Sequence, residues 1–322
     1  MTERARTIFL GSGSFAVPIG SALADHPSVD LIAVVTAPTR RGSRGRPTDP
    51  PVADWAAARG LPMLRPTRLR DPETIAAIAA LRPDLLVLAD YGQIVPDDLF
   101  PHHGALNIHP SLLPRYRGAS PIAATIMEGD QETGVTLMLM DAGIDSGPII
   151  AQARVSLSGL ETAPVLETSL AYVGADLLIA NLDDWLNRRL NPKDQPAAGM
   201  SMTHPLRRED GRLDPTQSAT RLERQVRAYQ PWPGSFIETP EGRVVVWRSA
   251  VADLPPASPP RKLLQLASGE LGLAVIDGTL ELGEVQPAGG RRMSGADLLR
   301  GRPGMIGLDV LSRAEAGRGS SA

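Results

Sequence analysis

Apolar runs of four to six residues punctuate the first half of the chain at Thr7–Leu10, Leu31–Val35, Leu85–Leu88, Ala105–Ile108 and Val135–Met140. Between them lie stretches with helical character, Phe15–Asp25, Val52–Arg59, Pro72–Leu81 and Ser120–Glu128. Strands buried on both faces read as continuous apolar runs, and their separation by helices predicts an α/β domain on a parallel sheet. A longer helical stretch near Ala163–Leu190 closes this region, and the polar, proline-containing residues 191–206 read as a linker. Beyond it, Ala219–Tyr229 is helical in pattern. Arg243–Trp247, Leu271–Ile276 and Thr279–Val285 read as strands around turn signals such as Asp277-Gly278, so a smaller β-rich domain follows over 207–312. The small, polar residues 313–322 are expected to be a disordered tail. A length of 322 residues suits two domains, because single cores stop growing near ~250 residues.

Composition narrows the chemistry. The chain has no cysteine, which removes disulfides, thiolate nucleophiles and thiolate metal ligands at once. No run of ~18 uninterrupted apolar residues exists to span a bilayer, and the start, Met1-Thr2-Glu3-Arg4-Ala5-Arg6, lacks a secretory pattern. A cytoplasmic protein without a membrane partner is expected. Net charge is only −3, but it is unevenly placed, with residues after 206 mildly basic. All but two of the 33 basic residues are arginine, which suits phosphate contacts and is equally what codon bias produces.

The run Gly104-Ala105-Leu106-Asn107-Ile108-His109-Pro110 sets Asn107 and His109 two apart at a strand end, so both project from one face. Open α/β sheets build ligand crevices at that end of their strands. A second loop, Met140–Pro148, offers Asp141 and Asp145 between glycines. A carboxylate beside His109 would fix its tautomer and sustain an imidazolium, while the Asn107 amide could donate to an oxygen becoming anionic during acyl transfer. The residues alone do not choose between the two aspartates, either of which could simply form an Asx turn. His26, His102, His103 and His204 occupy turn, helix-end or linker positions, and Asn107-x-His109 with a distant aspartate matches no common zinc spacing, so no metal is expected. The turn Gly11-Ser12-Gly13-Ser14-Phe15-Ala16 has the form of a dinucleotide fingerprint. The second strand ends Val34-Val35-Thr36-Ala37, without the acidic residue that would bind a ribose, and the turn reads as structural. Between Pro38 and Pro51, Arg40, Arg41, Arg44 and Arg46 stud a glycine-containing loop that could grip nucleic-acid phosphates. Arg207, Arg208, Arg212, Arg221, Arg224 and Arg227 could extend that track, interrupted by acidic residues.

Taken together, Asn107-Ile108-His109-Pro110-Ser111-Leu112-Leu113-Pro114-Arg115-Tyr116-Arg117-Gly118-Ala119-Ser120-Pro121-Ile122 resembles the signature of methionyl-tRNA formyltransferases. The resemblance runs on through Ala89–Pro96, Gly134-Val135-Thr136, Met140–Gly147, Gln230-Pro231-Trp232-Pro233 and Gln286-Pro287-Ala288-Gly289, nearly the whole chain. It implies a Rossmann-like formyltransferase domain over 1–190 followed by an OB-like barrel that helps hold tRNA. It implies 10-formyltetrahydrofolate as formyl donor and initiator methionyl-tRNA as acceptor, with Asn107, His109 and Asp145 catalytic. It further implies that Ser111, Leu112, Leu113 and Pro114 contact the folate, that Leu88, Tyr91, Gly92, Gln93 and Ile94 enclose its pterin ring, and that the arginine loop enters the acceptor stem. Departures from the family pattern are Pro215 where tryptophan is common, a shortened 206–212, Asp90 at a usually uncharged position, and no lysine in the arginine loop. A monomer is expected. The alternatives are a sugar-nucleotide N-formyltransferase using the same donor, a formyltetrahydrofolate hydrolase, a nicotinamide-dependent oxidoreductase resting on the glycine turn alone, and an RNA-binding module without catalysis.

Overall fold

The computed structural model describes residues 4–41, 47–253 and 260–311, and the chain forms two compact units. The first comprises Met1–Ile122, Gln131–Leu157 and Val165–His204, the second Ala123–Asp130, Ser158–Pro164 and Pro205–Ala322. The tail at 313–322 lies outside the described residues.

In the first unit a seven-stranded sheet runs in the order Ile149–Ser156, Glu132–Leu139, Ala105–His109, Leu85–Ala89, Ala5–Gly11, Val29–Val35 and Met63–Leu64. The last five of these are parallel. The apolar run at 135–140, expected to join a parallel sheet, instead belongs to a strand antiparallel to both its neighbours. An apolar run carries no sign of direction, and an antiparallel edge on a parallel sheet is common in α/β folds. The antiparallel pairing sets Leu106 opposite Leu139 and His109 opposite Thr136. The loop 140–148 therefore leaves the sheet beside the start of the Ala105–His109 strand, not beside its end.

The two faces of this sheet differ. Helix Ala163–Leu186 buries Leu166, Leu170, Leu178 and Leu182. Its Gly174 comes so close to the sheet that a Cβ there would lie 2.9 Å from Ile108 and 3.5 Å from Val135. This is the one described helix long and apolar enough to cross a bilayer, and its buried stripe makes it a core helix. The opposite face carries Ile8, Leu10, Leu86 and Ala105, packed with Leu69, Ile78, Tyr91, Val95 and Leu99. In register with that apolar row, Leu88 pairs with Asn107. Thus Asn107 and His109 are where the second face turns polar.

The segment 191–206, read as a linker, is bound along the first unit as far as His204. Lys193 and Ile149 exchange backbone hydrogen bonds of 2.8 and 2.7 Å, and Met202–Thr203 pairs in parallel with Arg117–Gly118. Its bonds are single bridges and side-chain contacts instead of a long ladder, so it shows no periodicity for a sequence pattern to catch.

The second unit is the expected β-rich one. Its antiparallel path runs Ser235–Thr239, Gly242–Ala252, Gly278–Pro287, Leu271–Val275 and Leu263–Gln265, with Met293–Ser294 on Gly278–Pro287. Helix Ala219–Ala228 starts where the Ser218 hydroxyl accepts the Arg221 N–H. It places Leu222 and Val226 among Ile237, Val244, Leu273 and Leu282 in one apolar core.

Candidate active site

Alternation within Ala105–His109 points Asn107 and His109 to the same face, and both are buried. Cross-strand register adds Thr136, opposite His109, and Gln152, opposite Thr136. The loop 140–148 folds back over this face and delivers Asp145. One carboxylate oxygen, Oδ1, accepts the Asn107 Nδ2–H at 3.1 Å. The other, Oδ2, accepts the Gly118 N–H at 2.8 Å and lies 3.6 Å from His109 Nδ1. Asp145 takes a left-handed backbone conformation, with φ of 48°. A Cβ at Gly147 would overlap the Leu139 carbonyl oxygen, so only glycine lets the loop return this close to its own strand. The two aspartates that the local residue pattern left equivalent now separate by their contacts. Asp141 accepts the Gly143 N–H at 3.0 Å and the Ser146 hydroxyl at 2.9 Å, which makes it the turn residue.

The imidazole has a defined orientation. His109 Nε2 is 2.9 Å from the Tyr116 carbonyl oxygen. A carbonyl only accepts, so Nε2 carries the proton, and Nδ1, facing Asp145, is the nitrogen free to exchange one.

The other expected site residues fall into groups. Ser111, Leu113 and Pro114 are buried, and the main chain here is held from the neighbouring strands. Thr136 Oγ1 donates to Ser111 O at 2.6 Å and accepts the Leu113 N–H at 3.1 Å, while Gln152 donates to Leu113 O at 2.9 Å. Leu112 is half-buried beside Gly134. Leu88 is half-buried in register with Asn107. Tyr91 packs its ring in the apolar core, its hydroxyl finds no hydrogen-bond partner among the described residues, and burial pushes its pKa up to about 12. Gly92 turns the chain with φ of 77°. Gln93 is spent on the neighbouring loop, accepting the Leu69 N–H at 2.8 Å, and Ile94 is exposed. Arg40 is exposed on a short ribbon in which Arg40–Arg41 pairs with Pro47–Thr48. Arg44 and Arg46 lie outside the described residues. The base of that ribbon is tied by Thr39 to Asp49, and by Arg65 Nη1 to Asp49 Oδ1 at 2.9 Å. Thr39 first and then Arg65 hold the Asp49 carboxyl below its ordinary range. In the second unit Arg227 is paired with Glu223 and Arg221 with Glu128, Arg224 donates to the Glu128 carbonyl, and Arg212 donates to Leu311 O. Four members of the expected basic track thus already have partners.

Thr136, Gln152 and the 116–118 turn were missed by sequence reasoning as parts of the site. Period-two register with His109 would have found Thr136 once the strand direction was known.

The glycine turn holds an internal carboxylate. A Cβ at Gly13 would overlap Asp90, and the Gly13 N–H faces the Asp90 carboxylate, where a fingerprint turn would hold phosphate. Asp90 is open to solvent on one side but crowded by protein on the others. Desolvation first, and then Glu167, raise its pKa from 3.8 to about 6. A carboxyl with a raised folded pKa binds its proton more tightly when folded, so stability falls as pH rises from about 4 through about 6. Asp90→Asn is therefore expected to raise Tm at pH 8 and to leave it nearly unchanged at pH 4. Thermal unfolding at both pH values checks this, and equal shifts would show that the charge is not the cause.

Residues 5–182 match the formyl transferase family, and residues 205–303 match the formyl transferase C-terminal domain. A methionyl-tRNA formyltransferase of Roseiflexus sp. (strain RS-1) is 43% identical over 308 residues, 92% of each chain. One of Myxococcus xanthus (strain DK1622) is 42% identical over 93% of this chain and 96% of its own. The chain belongs to the methionyl-tRNA formyltransferase family. That makes it a folate-dependent one-carbon transferase by family. Among solved structures, HypX from Aquifex aeolicus in complex with tetrahydrofolic acid is similar with a TM-score of 0.63 at 16% identity, over 92% of this chain and 47% of that one. WlaRD, a sugar 3N-formyl transferase, has a TM-score of 0.63 at 18% identity, over 88% of this chain and 98% of its own. At such identities these two share the fold alone.

Proposed function

We propose that the chain transfers the formyl group of 10-formyltetrahydrofolate to the α-amine of methionine on initiator tRNA, giving N-formylmethionyl-tRNA for translation initiation, as a cytoplasmic monomer. The observation that carries the reaction is the contact of one carboxylate, Asp145, with both Asn107 and His109. Identity above 40% with methionyl-tRNA formyltransferases over at least 92% of the chain supports the acceptor.

The donor set fits such a substrate, because an amide N–H, an imidazole nitrogen and a carboxylate converge on one buried polar patch. Leu88, Ile94 and the main chain of Tyr91, Gly92 and Gln93 would enclose the pterin, with Ser111, Leu112, Leu113 and Pro114 along the donor's other side. Arg40, Arg41, Arg44 and Arg46 would meet acceptor-stem phosphates. An α-amine titrates at about 7.7–8.0, so a useful fraction reaches the site neutral near pH 7. As its nitrogen bonds to the formyl carbon, the Asn107 amide donates to the formyl oxygen that is gaining negative charge. His109 Nδ1 takes the proton shed by the amine, and Asp145 stabilises the resulting imidazolium. The same Nδ1 proton then goes to the folate nitrogen as its bond to the formyl carbon breaks. Nε2 stays on Tyr116 O throughout, so the ring does not turn during the exchange.

A competition assay tests the acceptor. Purified protein is given labelled 10-formyltetrahydrofolate with methionyl-tRNA and a nucleotide-linked amino sugar at equal concentration. Label in RNA alone is expected, and label in the sugar alone would overturn the reading in favour of a sugar N-formyltransferase.

A further inference from the structure

The family pattern accounts for Asn107, His109 and Asp145 but leaves open what holds the loop that carries Asp145. That loop needs holding. Asp145 is in the left-handed region, which is unfavourable for a non-glycine residue, and the loop has no regular secondary structure of its own. The restraint comes from Gln195, within the segment that reads as a linker. Its Nε2 donates to Asp145 O and to Gly147 O, both at 2.8 Å. Its Oε1 accepts Arg117 Nε at 3.0 Å and Arg117 Nη2 at 2.7 Å. A glutamine amide has two N–H donors and one oxygen with two lone pairs, and every one of these is used. The guanidinium on the oxygen polarises the amide and strengthens its donation to the loop carbonyls.

The same arginine precedes Gly118, whose N–H binds the Asp145 carboxylate. One turn therefore holds Asp145 twice, directly at the side chain and through Gln195 at the backbone.

We infer that Gln195, oriented by Arg117, is a positioning residue for the transfer reaction: it fixes the backbone of the 145–147 loop so that the Asp145 carboxylate meets Asn107 and His109. This rests on the proposed function for its kinetic readout and on geometry alone for its structural one. Three variants test it in the full chain. Gln195→Ala removes all four bonds. Gln195→Glu keeps an acceptor for Arg117 but has no N–H for the two carbonyls. Arg117→Lys keeps the charge without the two-pronged contact.

Two quantities are read. Gln195→Ala and Gln195→Glu are expected to lower kcat about 10- to 100-fold, the scale of a small misplacement in a reacting site, with KM for methionyl-tRNA and for the donor within about threefold of wild type. Arg117→Lys is expected to fall between them and wild type. Independently of any substrate, hydrogen exchange at the Gly118 amide is expected to speed up in Gln195→Ala by about tenfold or more, as its carboxylate partner comes loose. Unchanged kcat in both Gln195 variants, or a rise in KM with kcat preserved, would overturn the inference. If wild-type protein transfers no formyl group to methionyl-tRNA, the proposed function fails instead. Gly118 exchange then still decides the structural claim, and exchange equal to wild type would overturn it.

Discussion

His109→Ala is expected to lower kcat for formyl transfer by roughly 10²–10⁴, with KM for either substrate nearly unchanged. That corresponds to about 3 to 5 kcal/mol of lost transition-state stabilisation. The size follows from the proposed role of Nδ1, which lies beside Asp145 and would exchange the proton while the Tyr116 carbonyl holds Nε2. His109→Gln sharpens the test. Its amide can still donate toward Tyr116 O and fill the buried site, but it cannot carry a proton between amine and leaving nitrogen. Both variants are expected to be equally slow while Gln keeps the stability that Ala loses. Single-turnover transfer rates and urea unfolding measure the two effects separately. Glutamine restoring most of the rate would show that His109 only fills space.

Asp145→Asn is expected to cost roughly 10²–10³ in kcat and also about 1–3 kcal/mol of stability. Both wild-type oxygens accept, one from Asn107 and the other from Gly118. An asparagine presents only one acceptor, so an N–H must face either the Gly118 N–H or the Asn107 amide. Asn107 can answer by turning its own amide over, which restores that hydrogen bond but withdraws the N–H proposed for the formyl oxygen. The variant therefore loses the charge beside His109 and one of its contacts together. Kinetics with and without the second substitution Asn107→Ala measure the coupling. A double variant no slower than Asp145→Asn is expected, and additive losses would mean that the two residues act independently.

Much of this site is legible in the amino-acid sequence. Asn107 and His109 sit two apart in a strand, and period two alone places them on one face. The aspartate is harder, because Asp141 and Asp145 are each followed two residues on by a glycine, so the local pattern does not tell a turn former from a partner and only the family resemblance singles out Asp145. The loop also arrives from an unexpected end of the sheet. Hydrophobic run and length define the 132–139 strand, but nothing in them encodes direction, and direction decides which residues lie opposite His109. Gln195 is the least legible. It lies in a polar segment whose order comes from scattered bonds to carbonyls, and such bonds leave no repeat in the sequence. The glycine turn shows the reverse situation. Its motif is visible, yet its occupant, Asp90, lies far along the chain at the end of another strand.

The most direct test of the account is whether the intact protein moves a labelled formyl group from 10-formyltetrahydrofolate onto methionyl-tRNA, read as acid-precipitable label and identified as N-formylmethionine after release from the RNA. Wild-type protein is expected to formylate the methionine α-amine, and His109→Ala to leave the RNA unlabelled on the same timescale. Donor consumed by wild type with the methionine still unformylated would contradict the account, and would make water or another amine the acceptor.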